Sequence, residues 1–205
     1  NAVAVMRGGF GPNGFAWEPP QAIRLARDTL PDKPWIVADS SAGAVYVVYT
    51  TFIRTAGSLT DHIDFQSSGD GGATWSAPLQ LSVRRDDGLV QGARPAVGPD
   101  GEIVVAWEAV DTTAAVDHIR FRASRDHGAS FGPQVDATDF YSNFGSGAPG
   151  FNRGFGLHFP AVAVDRGRGP DRGRIYVAWT EALNHFVDPP DTMGAQYSLP
   201  YCAAL

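Results

Sequence analysis

SGDGGATW at residues 68–75 decides the fold of this chain, and SRDHGASF at residues 124–131 repeats it. Both read Ser-x-Asp-x-Gly-x-x-aromatic, and 56 residues separate the two copies. The chemistry is that of a tight β-hairpin turn. Short side chains such as Ser68 and Asp70 hydrogen-bond backbone amides inside a turn. Gly72 supplies a positive φ that other residues resist, and Trp75 offers a large apolar plate to fold back over the hairpin. Ser124, Asp126, Gly128 and Phe131 repeat the four roles. One short pattern arises by chance, whereas two with similar flanks define a repeat.

Working outward from the two turns, three segments share a template: PWIVAD at 34–39, PAVGPD at 95–100 and PAVAVD at 160–165. Each leads through a turn into a second apolar stretch, GAVYVVYT from Gly43, GEIVVAWE from Gly101 and GRIYVAWT from Gly173. A third strand follows, DHIDFQS from Asp61 and DHIRFRA from Asp117, and the Ser-Asp turn closes it. A fourth leaves the turn, ATWSAPLQLSV from Ala73 and ASFGPQVDAT from Ala129. These runs are short, rich in β-branched and aromatic residues, and bounded by Gly, Pro and Asp, as strands are. The second strands are near-continuous apolar runs, which marks burial on both faces. Four strands per repeat of about 60 residues, the inner ones most apolar, describe a propeller blade.

The same alignment organises both ends. FAWEPPQAIRLARD lines up with ATWSAPLQLSVRRD, so QAIRLARDTL at 21–30 reads as a fourth strand running into a loop, and AVAVM at 2–6 as a third. Between them Gly14 and Trp17 keep the turn's Gly and aromatic, while Phe10 and Pro12 replace Ser and Asp, a degenerate copy. The chain divides into an outer half-blade (1–30), two blades (31–91 and 92–139), a Gly- and aromatic-rich loop (140–158), an inner half-blade (159–182) and an irregular tail (183–205). That is twelve strands, about three blades' worth of four-stranded antiparallel sheets, in an all-β, incomplete propeller. Propellers close with 4–8 blades. The open array therefore calls for the remaining blades of a longer chain, or for a second copy joining half-blade to half-blade to close a ring.

Composition narrows the partners. A formal charge of −6 argues against nucleic acid, which needs a basic face. No apolar run has the length to span a bilayer, and no signal peptide is visible in NAVAVMRGGF. Cys202 is the single cysteine, and no metal-ligand spacing or cofactor motif occurs, so neither metal nor cofactor is expected.

The two turns resemble the Asp-box, or bacterial neuraminidase repeat, of the sialidase superfamily, and strands such as RIYVAW and IVVAW are similar in character to those of that superfamily. The resemblance covers roughly residues 10–182. It implies a sialidase-like β-propeller whose Asp-boxes lie on the face opposite the active site, so Ser68, Asp70, Gly72, Trp75, Ser124, Asp126, Gly128 and Phe131 are expected to be structural. It also implies a secreted or cell-envelope exo-glycosidase acting on terminal sugars of glycans. The alternative is a non-catalytic propeller that binds glycans or proteins, or a structural module.

Sialidases depart from the two-carboxylate scheme of most glycosidases. The family uses three arginines on the substrate carboxylate, an Asp acid/base, and a Tyr nucleophile assisted by Glu. Its first arginine stands in an Arg-x-Pro stretch opening an inner strand. Here Arg94 directly precedes Pro95, and the residues two before the repeat prolines are Asp32, Ala93 and His158, so the pattern is not met. The substrate-face candidates are Arg94, Arg153, His158, Asp111, Glu108 and Glu181. Glu108 and Glu181 end equivalent strands, and His62 and His118 also recur; recurrence from blade to blade is what blade architecture predicts and what a single active site does not. The catalytic residues themselves stay unassigned.

Overall fold

The computed structural model describes residues 1–110, 117–140 and 159–180. Among them are fourteen β-strands, a single 3₁₀ turn at Arg84–Asp86 and no α-helix. Strands β1 (Ala2–Val5) and β4 (Gln21–Leu25) pair antiparallel, and β2 (Gly8–Gly11) and β3 (Gly14–Trp17) form a hairpin between them. A four-stranded sheet follows in the order β5 (Thr29–Asp39), β6 (Ala44–Thr55), β7 (Ser58–Ser68), β8 (Leu79–Gln80). The next sheet is β9 (Val90–Val97), β10 (Ile103–Ala109), β11 (Asp117–Ser124) and β12 (Val135–Phe140), again in chain order and antiparallel. Strands β13 (Ala161–Val164) and β14 (Ile175–Ala178) pair last. The result is an open array of blades, with the whole of β10 buried and most of β6 with it.

The main core lies between the two full sheets. Tyr46, Val48, Ile63, Phe65 and Leu81 from the first pack against Val90, Ala93, Val97, Ile103, Val105 and Trp107 from the second. Stacking a sheet on its neighbour is how a blade hides an apolar face that it cannot hide alone. Polar ties cross the same seam. The Asp61 carboxylate accepts from the Val90 amide at 3.0 Å, and its carbonyl accepts from the Gly88 amide at 2.8 Å. Arg120 pairs with Asp86, which also accepts from Gln134 Nε2 at 2.7 Å.

The two Ser-Asp turns are closed by the same bonds. In the first, Ser68 Oγ donates to Asp70 Oδ1 at 2.7 Å and accepts from the Gly72 amide at 2.8 Å. Asp70 accepts from the amides of Ala73 and Thr74 at 2.9 and 2.8 Å and from the Thr74 hydroxyl at 2.6 Å. In the second, Ser124 bonds Asp126 at 2.7 Å and the Gly128 amide at 2.8 Å, and Asp126 takes the Ser130 amide at 2.9 Å. These donors hold both carboxyls down, the hydroxyls of Thr74 and Ser130 contributing most, with Asp126 at about 2. Gly72 and Gly128 have φ of +88° and +83°.

The aromatic of each turn does more than cover its own hairpin. Trp75 packs against a buried cluster of Val3, from the preceding half-blade, with Val47 and Tyr49, which Val5 and Ile23 of that half-blade also cover. Phe131 reaches back into the preceding sheet, its ring edge-on to Phe65 at 5.0 Å, while Phe65 stacks on Tyr46 at 5.8 Å. Each ring is a wedge between blades.

Two local departures from the sequence reading have plain causes. The degenerate first turn is instead the β2–β3 hairpin, adding two strands to the twelve expected. Its cross-strand pairs put Phe10, Phe15 and Trp17 on one face, edge to face at 5.2 and 5.0 Å, and leave Gly9, Gly11, Gly14 and Ala16 on the other. Without Ser and Asp to close a compact loop, the ladder runs on to a two-residue turn at Pro12–Asn13. The fourth strand of the first sheet is also shorter than ATWSAPLQLSV suggests, because only Leu79–Gln80 pair as strand. Pro78 has no amide to give the ladder, and the Gln66 side chain bonds the Ser76 carbonyl at 2.7 Å beside it.

Candidate functional site

Antiparallel pairing sorts the loops onto two ends. The Ser-Asp turns share one end with the β5–β6 and β9–β10 turns, as the registers Asp39↔Ala44, Val45↔Ser68 and Val97↔Ile103↔Ser124 require. The opposite end carries the starts of the inner strands β5, β9 and β13, the β6–β7 turn and the β8–β9 connection. The substrate-face candidates that are described lie at this end.

Here β5 and β9 each carry a β-bulge. Register slips between Asp32 and Trp35 on β5, and on β9 between the residues opposite Ala106 and Glu108. Bulges re-aim side chains. Lys33 sits in the first with φ +52°, unusual for a residue with a Cβ, and Gly92 in the second with φ +71°. The outcome is a cluster of two cations and three rings. The Arg94 guanidinium lies 4.0 Å over the Trp35 ring and 5.7 Å from Phe159. Lys33 Nζ lies 5.7 Å from the same Phe159 ring and 5.8 Å from Phe52, and it also pairs with Asp32. Phe159 in turn presses on Gly92, where a Cβ would fall 2.0 Å from its Cδ1. Burial pushes the Arg94 pKa down, and Arg94 stays charged regardless.

Lys33, Arg94 and Phe159 are equivalent residues, each the one before a repeat proline, at 34, 95 and 160. That column is the signal in the sequence for the cluster, and it lies one residue downstream of the Arg-x-Pro arginine position.

Beyond Phe52 the cluster opens into a groove of about 560 Å³ lined by Arg27, Asp28, Leu30, Phe52, Arg54 and Leu59, among others. Apart from it, a small cleft of about 40 Å³ lies between the two full sheets, bounded by Asp61, Gln91 and Glu108. Glu108 is 1% exposed and Asp61 3%. Burial raises the Asp61 pKa to about 6 against the pull of the Val90 and Gly88 amides. Next to it, His62 is raised by its 3.2 Å bond to Asp64, which also accepts the Thr51 hydroxyl at 2.6 Å.

Of the substrate-face candidates, Arg94 reaches the open cluster and Glu108 the small cleft between the sheets. Arg153, His158, Asp111 and Glu181 lie outside the described residues, as do most of the 140–158 loop and the 183–205 tail. Among the described residues no group of three metal-ligating side chains occurs, and no helix is long and apolar enough to cross a membrane.

No family model and no curated protein matches the chain. Among solved structures it is similar to the Hadza microbial sialidase Hz136, with a TM-score of 0.57 and 18% identity over 90% of this chain. The fold is that of an incomplete sialidase-like propeller. The chain spans 40% of the length of that sialidase. A second structure, an N-acetylgalactosamine deacetylase from F. plautii in complex with blood group B trisaccharide, aligns over 86% of this chain and 56% of its own length, at TM-score 0.38 and 15% identity.

Proposed function

We propose that this chain is part of a secreted or cell-envelope sialidase-like glycosidase, whose Ser-Asp turns are Asp-boxes and whose substrate is a glycan ending in an acidic sugar. One observation carries the reading: Arg94, over the Trp35 ring beside Phe159 and Lys33, on the end of the propeller opposite the Ser-Asp turns. A guanidinium fork meets a carboxylate with two parallel hydrogen bonds, and a flat ring beside it offers a face to sugar C–H groups. The remaining blades, from a longer chain or from a second copy, would supply the other walls of the pocket.

Glycan binding without hydrolysis is the second reading, favoured by the burial of Glu108, which withdraws that carboxylate from a ligand lying on Arg94. Titration calorimetry with 3′-sialyllactose, alongside turnover of a fluorogenic sialoside, separates the two. Binding is expected to weaken about tenfold or more in Arg94→Ala, the worth of a charge-assisted hydrogen bond. Unchanged binding in that variant would overturn the site. Binding without turnover by the full-length protein would select the second reading.

A further inference from the structure

The cationic cluster does not end at the Arg94 pocket. Phe159 touches both Arg94 and Lys33, Lys33 touches Phe52, and Phe52 is a wall of the groove that holds Arg54 and Arg27. Rings and cations therefore alternate along one continuous surface. Four cations line it, against the carboxylates of Asp32 and Asp28, on a chain whose formal charge is −6. Among the described residues no carboxylate pairs with Arg54 or Arg27, and both are exposed. The groove is apolar between them, with Leu30 51% and Leu59 57% exposed. A basic, apolar-bottomed track on an acidic protein concentrates negative ligands locally against the field of the whole chain.

We propose that this track takes an oligosaccharide bearing a negative charge on successive sugars, with its terminal acid at Arg94 and its next charges at Arg54 and Arg27. The inference rests on the glycan reading of the Arg94 end and extends it from one charged sugar to several. Sugar rings lie on Phe52, Leu30 and Leu59, and carboxylates project to the arginine forks on either side. Arg27 and Arg54 set length and charge preference, while Arg94 anchors the end.

The test compares α2,8-linked tetrasialic acid, 3′-sialyllactose and neutral maltotetraose by titration calorimetry, at about 20 and about 200 mM salt. The tetra-acid is expected to bind at least tenfold more tightly than the mono-acid at low salt, with the advantage shrinking at high salt, and the neutral sugar not to bind. The double substitution Arg27→Gln, Arg54→Gln is expected to remove that advantage and leave 3′-sialyllactose affinity unchanged. Both sites are exposed, and an unaltered melting temperature confirms the fold. Equal affinity for the tetra-acid and mono-acid, or a tetra-acid affinity indifferent to the double substitution, overturns the track while leaving the Arg94 pocket standing. No binding of either acid overturns both. A single-stranded oligonucleotide of equal charge binding as tightly as the tetra-acid would overturn the saccharide as the occupant.

Discussion

Gly72 and Gly128 hold the same place in the two turns and have nearly the same φ, yet replacing them with alanine should have unequal effects. A left-handed backbone costs a residue with a Cβ about 1–2 kcal/mol, and that term is common to both. At Gly72 the new methyl meets Arg7 Cδ at 3.5 Å and Trp75 at 3.7 Å, ordinary contact. At Gly128 it meets Phe65 Cζ at 2.6 Å and Cε1 at 3.0 Å. Phe65 is 1% exposed and held between Tyr46 and Phe131, so it has no free direction in which to yield. Forcing an extra carbon into a filled core costs about 1–3 kcal/mol more. Gly72→Ala is thus expected to lose about 1–2 kcal/mol and Gly128→Ala about 2–5 kcal/mol, read as midpoint shifts at constant slope in urea unfolding. Adding Phe65→Leu removes the clashing edge, so in a double-mutant cycle the pair should be less damaging than the separate losses combined, by about 1–2 kcal/mol. Equal losses at the two glycines, or strict additivity with Phe65→Leu, would refute the wedge between blades.

Three further outcomes follow from the same geometry. Asp61 is raised from 3.8 to about 6, so the folded state holds its proton where the unfolded chain has released it. Stability is therefore highest below about pH 4 for this group and falls as pH climbs towards 6, by about 2–3 kcal/mol. Raised His62 acts in the same direction, its contribution full below its unfolded value of 6.5 and lost as pH rises through the folded one. Asp61→Asn keeps an acceptor for the Val90 amide and should flatten the urea midpoint between pH 4.5 and 6.5; an unchanged slope would clear Asp61 of the effect. Ser124→Ala deprives the buried Gly128 amide of its 2.8 Å partner and should cost about 1–2 kcal/mol in the same assay, whereas no loss would mean the turn is closed by other bonds. Gly92→Ala puts a methyl 2.0 Å from Phe159 Cδ1 and must displace that ring. It should weaken 3′-sialyllactose binding severalfold, and unaltered affinity would remove Phe159 from the site.

The blades were legible because their signals are local and repeated. Ser68, Asp70 and Gly72 bond one another within five residues, and the apolar runs of β6 and β10 declare their burial directly. What escaped was set by packing between segments distant in sequence. Nothing in SGDGGATW says that Trp75 belongs with the cluster around Val3, and nothing around Asp61 in DHIDFQS reveals the Val90 amide across the seam. The hairpin at Phe10–Trp17 escaped because a turn without its Ser and Asp still aligns as a degenerate copy, whereas their loss releases a longer ladder. At the site Arg94 stands out by location, whereas Lys33 and Phe159 show only as its column ahead of the repeat prolines, and their meeting depends on bulges in β5 and β9 that no local pattern announces. Arg54 lies near the end of β6 and Arg27 aligns with Arg85 in the repeat, so neither position announces that the two share a groove.

The backward reach of Phe131 into Tyr46 and Phe65 gives the array a polarity in time. As the polypeptide leaves the ribosome, the socket is synthesised before the ring that fills it, and the same order holds for Val3, Ile23 and then Trp75. Each newly made sheet therefore docks on a completed one and covers its greasy flank as it arrives. A forward-reaching wedge would instead leave each ring bare until the following sheet was made.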